Sequence, residues 1–165
     1  MRSMSVRLPA RRRLGIGAVL AAGSLAVTGL AFAPAAAAVA PTSATVTYDC
    51  GFFGGGSTVL TATQDGTLAT VTVSSNITAP LPLAADSIAT TLTLKKAAGG
   101  TTAFTGTKNP ATPTGATVTL GPLTGTVASG DSLDAGGGTL KMVLFGITVT
   151  CTPAGNQTPG PFVYE

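Results

Sequence analysis

Beyond its first 38 residues the chain alternates apolar and polar positions with a period of two. Residues 44–50, "ATVTYDC", place Val46, Tyr48 and Cys50 on one face and Thr45, Thr47 and Asp49 on the other. That is the pattern of a half-buried strand. Residues 58–64 and 67–74 flank Asp65-Gly66, a pair suited to a two-residue type I′ loop, which predicts a hairpin. Residues 87–95 set Ile88, Leu92 and Leu94 against Thr91, Thr93 and Lys95, and a short strand around Phe104 follows Gly99-Gly100. The run "ATVTLGPLTGTV" predicts a strand bent or split at Gly121-Pro122. "NITAPLPLAADS" and residues 109–115 read as loops, and "ASGDSLDAGGG" as a turn region. Residues 139–151, "TLKMVLFGITVTC", are apolar on both faces and read as one central strand. Val143, Phe145, Ile147, Val149 and Cys151 would share one face; Leu140, Met142 and Leu144 would share the other. Residues 162–164 add an edge strand. Seven or eight short strands with frequent turns predict an all-β domain. An immunoglobulin-like antiparallel β-sandwich is the expected form, and a closed barrel the alternative.

The first 38 residues follow another rule. Five arginines (Arg2, Arg7, Arg11, Arg12, Arg13) precede the uncharged apolar stretch 14–33, and the small-residue tract "APAAAAVAP" follows. This order predicts a signal-peptide helix over 1–38, cleaved after Ala38 to leave Val39 first, and a single domain over 39–165. An uncleaved membrane anchor is the alternative, because about 20 apolar residues can span a bilayer. The triple arginine leaves the choice between general and twin-arginine export open.

Cleavage reverses the charge. Residues 39–165 hold four lysines and no arginine against five aspartates and Glu165, a net charge of 4 − 6 = −2. Nucleic-acid binding needs clustered Lys/Arg to displace counterions, so that class is excluded. Two cysteines remain, Cys50 and Cys151. In an oxidising, exported setting they are expected to pair, closing a loop of about 100 residues and contributing about 4–5 kcal/mol. Two free thiols or an intermolecular bridge are the alternatives.

Little catalytic chemistry is on offer. The chain has no histidine, which removes histidine triads and histidine metal sites. "GGGS" at 54–57 lacks the lysine and helix of a phosphate loop. Asp131 and Asp134 sit in a predicted turn, where two carboxylates fall short of the six to eight oxygens of a calcium site. No catalytic residue, metal ligand or cofactor site is therefore expected, and the chain reads as a non-enzyme.

The aromatic residues carry the one functional suggestion. Phe52 and Phe53 stand between Cys50 and three glycines. If Cys50 pairs with Cys151, the C-terminal segment with Phe162 and Tyr164 leaves from the same end of the domain. These four residues would then form a binding patch, with one of the two phenylalanines buried as an end plug and the other partly exposed.

The Arg- and Ala-rich leader, the "YDC" strand, the Thr-rich strands, the late "GITVTC" strand and the "PGPF" segment resemble small secreted actinobacterial immunoglobulin-like β-sandwich proteins without an established activity. The resemblance implies a secreted or cell-envelope protein, structural or adhesive, with an unidentified extracellular partner and no membrane association after cleavage. The composition also resembles that of the enediyne-antibiotic carrier proteins, which have two disulfides where this chain can form one. That resemblance implies, as an alternative, a carrier of a small apolar ligand. A cavity lined by Phe104, Phe145 or Phe52 would favour the carrier.

Overall fold

A computed structural model describes residues 39–165; the signal-peptide expectation lies outside the described residues. Nine strands follow in order: β1 (Ser43–Asp49), β2 (Gly55–Asp65), β3 (Leu68–Thr78), β4 (Ala89–Lys96), β5 (Thr101–Gly106), β6 (Thr117–Thr126), β7 (Ser132–Leu144), β8 (Ile147–Pro153) and β9 (Phe162–Val163). All pairings between them are antiparallel. The alternation of the sequence is preserved: Ala44, Val46 and Tyr48 point inward from β1, and Leu92 and Leu94 from β4.

The expected sandwich is corrected to a barrel. The hydrogen-bonded order β4-β5-β6-β3-β2-β1-β8-β7 closes on itself through a β4–β7 ladder, and β9 adds to β7 outside the ring. Two seams are thin. β5 meets β6 at a single register pair, Thr105↔Thr124, and β1 meets β8 at two, Tyr48↔Pro153 and Asp49↔Thr152. The ring is thus two four-stranded halves stitched at two seams. The alternation that predicts a sandwich is shared by both architectures, and only the seam pairings decide between them.

Two further elements differ from the reading of the sequence. Residues 139–151 are not one strand: a hairpin turns at Phe145-Gly146, where Leu144 pairs with Ile147. The glycines at 136–138 are not a turn but the middle of β7. A Cβ on Gly138 would run into the Thr93 carbonyl of β4, so glycine serves close strand approach there. The β2–β3 loop is Gly66-Thr67 rather than Asp65-Gly66, since Asp65 pairs with Leu68. Gly66 (φ 58°) then stands first in the loop, where type II′ hairpins place glycine.

The interior is filled at one side of the ring by Phe104, Leu92, Leu94, Leu123 and Leu133, all buried. Gly125 on β6 makes room for the Phe104 ring. The Cys50–Cys151 disulfide forms, with Cα atoms 4.0 Å apart, and ties the end of β1 to β8. Among the described residues no helix is long and apolar enough to cross a membrane.

Candidate functional site

The site lies at the end of the barrel where β1, β3, β5 and β7 finish. Four connections meet there: the 3-10 turn Gly51–Phe53, the 79–88 segment, the 107–116 segment and the β7–β8 turn. Two of them make a polar plug. Leu83 and Thr112 exchange backbone hydrogen bonds. The Asn109 side chain accepts from the amides of Ser87 and Ile88 and donates to the carbonyls of Ala84 and Pro110. Its four hydrogen-bonding positions are all used, so this buried amide is satisfied in full.

The other half of the same end stays open. A cavity of about 510 Å³ lies beneath the 3-10 turn and the β7–β8 hairpin. Its floor and walls come from inward positions of six strands, among them Tyr48, Thr58, Val73, Leu120, Leu140 and Val149. No charged side chain lines it. Thr58, Ser75 and Thr78 supply hydroxyls among its lining residues, and the Ser75 hydroxyl already donates to the Val118 carbonyl; the Tyr48 hydroxyl is itself buried without a hydrogen-bond partner. Burial pushes the Tyr48 phenol well above its ordinary range, with the Asp134 carboxylate adding to the effect. Tyr48 is therefore neutral, and nothing in the wall ionises at neutral pH.

The rim is apolar and exposed. Phe52 is 99% exposed and Phe145 72%, with Phe53, Leu81 and Ile147 each about half exposed or more. Phe52 and Phe53 contact each other edge to face, their centroids 5.9 Å apart. Phe145 holds a backbone conformation that its side chain disfavours. It is the first of two loop residues with positive φ (49°, then 79° at Gly146), the type I′ arrangement normally given to Asn, Asp or Gly. A bulky residue there is a true outlier, and such strain clusters at functional positions.

The structure divides the predicted binding patch. Phe52 and Phe53 are at the mouth, but neither is buried; the expectation that one caps the core is corrected. The 3-10 turn is the reason. It lifts both rings off the barrel end instead of splitting them across a strand. Phe162 and Tyr164 are fully buried at the opposite end, where β9 pairs with the start of β7. The disulfide does bring β8 beside β1, but the chain after Cys151 runs the full length of the barrel before reaching Phe162. Phe145, Ile147 and Leu81 complete the rim in their place. Reading 139–151 as one strand hides the first two, and the isolated Gly146 is the one irregularity in that apolar run.

The acidic pair of the predicted turn is also apart in role. Asp131 forms an ion pair with Lys96 at 2.9 Å. The Ala128 amide and the Lys96 ammonium hold its carboxyl below the usual range. Asp134 lies within β7 and accepts from the Gly136 amide.

The chain matches no family model, no curated protein and no solved structure. The cavity and its rim therefore carry the functional argument alone.

Proposed function

We propose that the protein is a non-enzymatic carrier that holds one small, uncharged, apolar molecule in the barrel cavity. The observation that carries this reading is the cavity itself: about 510 Å³, open at one end, walled by aliphatic and aromatic side chains and free of charge. Ligand sites typically occupy about 300–1,000 Å³ with mostly hydrophobic linings. Eight-stranded barrels are of the size that side chains just fill or that holds one small ligand. Here the two outcomes share one ring, with Phe104 and its leucine neighbours filling one side and the cavity taking the other.

Binding would be driven by removal of apolar surface from water on both partners. The few wall hydroxyls supply orientation rather than affinity. Export to an oxidising compartment is part of the proposal, supported by the disulfide and by the signal-like leader. The adhesive reading draws on the exposed rim rings, which could contact a partner directly. The two are separated by asking whether the cavity fills.

The test is titration with an uncharged solvatochromic dye such as Nile red. Saturable binding of one equivalent is expected. Met142→Trp, which adds volume to the cavity wall, should abolish it while the fold persists by circular dichroism. Non-saturating dye uptake, or full binding by the Met142→Trp protein, would return the molecule to the adhesive class.

A further inference from the structure

We propose that the mouth of the barrel docks on the surface of a lipid bilayer, so that the ligand passes between membrane and cavity without crossing water. The inference rests on the carrier reading above. An uncharged molecule that fits this cavity dissolves in acyl chains far better than in water. A mouth open to bulk water would face the poorer source.

The rim has the form such docking needs. Phe52, Phe53, Leu81, Phe145 and Ile147 come from three separate connections and all stand exposed around one opening. They project as separate tips, with Phe52 and Phe53 as one edge-to-face pair, and a fluid acyl layer receives such tips without matched pockets. Phe145 is held out by a strained turn, so its display costs stability that folding alone does not require. Both ends of the described chain lie away from the mouth: Ala40 bonds to Val163 beside the start of β7, and Glu165 bonds to Gln64 at the end of β2. Nothing in residues 39–165 obstructs the approach.

Charge selects the kind of bilayer. The charged groups at this end are Asp49, whose carboxylate accepts from the Gly51 amide, the Asp86–Lys108 pair at 3.2 Å, and Lys141, exposed on β7 where it pairs with Thr150 beside Cys151. The local balance is zero, with no arginine and no cluster of lysines. The surface complements a zwitterionic membrane, since it lacks the basic cluster by which an anionic one attracts proteins.

The chain has no tryptophan, so Phe52→Trp in the full-length protein reports on the mouth alone, whatever residues 1–38 do. Phosphatidylcholine vesicles should shift its emission to the blue, and lipids brominated in the acyl chain should quench it. Adding Phe53→Ser and Leu81→Ser should weaken the partition at least tenfold, because two exposed apolar side chains no longer enter lipid. Part-replacement of phosphatidylcholine by phosphatidylserine should leave binding equal or weaker. No blue shift, unchanged partition in the triple variant, or binding only to anionic vesicles would each overturn the docking. So would a blue shift that grows with protein concentration in the absence of vesicles, which would assign the mouth to a second copy of the chain. Nile red binding in vesicle-free solution is scored separately. Dye binding without docking leaves the carrier and removes the membrane; docking without dye binding upholds the membrane surface and removes the carrier.

Discussion

Replacing Phe145 by asparagine should make the protein more stable and a poorer binder. Phe145 holds φ at 49°, a conformation that costs a bulky L-residue about 1–2 kcal/mol and that asparagine adopts with much less strain. Against this gain stands the lost packing of the ring. Full burial of a phenylalanine is worth about 1.5–3 kcal/mol, but this ring is 72% exposed, so about a quarter of that, roughly 0.4–0.8 kcal/mol, is at stake. The balance is a gain of about 0.5–1 kcal/mol, or some 2–5 °C in Tm for a domain of this size. Thermal unfolding of the oxidised protein measures the first half, and Nile red titration the second, where affinity should fall severalfold. A lower Tm would mean that the ring is a packing element and that the strain argument fails. A higher Tm with unchanged dye affinity would mean that the strain serves something other than the cavity.

Three further outcomes are expected. Reducing the disulfide, or replacing both cysteines by alanine, should cost about 4–5 kcal/mol in denaturant unfolding, because the bridge closes a 101-residue separation; a loss below about 1 kcal/mol would show the unfolded chain to be constrained by other means. Gly138→Ala should destabilise by roughly 2–4 kcal/mol, since its methyl group would meet the Thr93 backbone, whereas Gly155→Ala, facing open space, should be near neutral. Equal effects at the two positions would refute the close β4–β7 approach. Burial raises both tyrosine phenols, so the unfolded chain, ionising near pH 10, loses protons first and stability falls as pH rises beyond that point. Tyrosinate absorbance should therefore appear for both residues together, at alkaline unfolding; one tyrosine titrating near pH 10 in the folded protein would contradict its burial.

Strand periodicity made most of the elements legible. Val46, Tyr48, Leu92 and Leu94 are inside because a period of two leaves no other face for them. The disulfide was legible from the count of two cysteines and the expectation of export. Closure of the ring was not, because a sandwich and a barrel use the same alternating strands and differ in which edges meet. Two glycine-bearing stretches misled in opposite senses. Gly136–Gly138 looked like a turn and is strand, since a neighbouring backbone takes the space that side chains would fill. Phe145-Gly146 looked like strand and is a turn, since an aromatic in a left-handed position defies the preferences on which turn reading rests. The second error concealed the site. Without that turn, Phe145 and Ile147 appear as core residues and the rim around the cavity cannot be assembled.

The costs in this molecule are unevenly distributed, and their placement is the strongest argument that the mouth is functional. At one end the barrel finishes conventionally: Phe162 and Tyr164 are buried and β9 covers the start of β7. At the other end three unfavourable features coincide. A cavity remains where aliphatic side chains could fill it, five large apolar residues face water, and an aromatic occupies a strained turn. Each lowers stability, and each could be relieved by one or two substitutions of the kind that proteins tolerate readily. The adjoining polar plug around Asn109 rules out a general inability of this end to close, since half of it is sealed with every hydrogen bond of that side chain satisfied. The open half is instead bounded by the disulfide, which fixes the base of the Phe52–Phe53 turn against β8, the strand that leads out of the Phe145 hairpin. The one covalent cross-link thus fixes the positions of the two loops that frame the opening, and an opening held in this way fits the reading that something enters it.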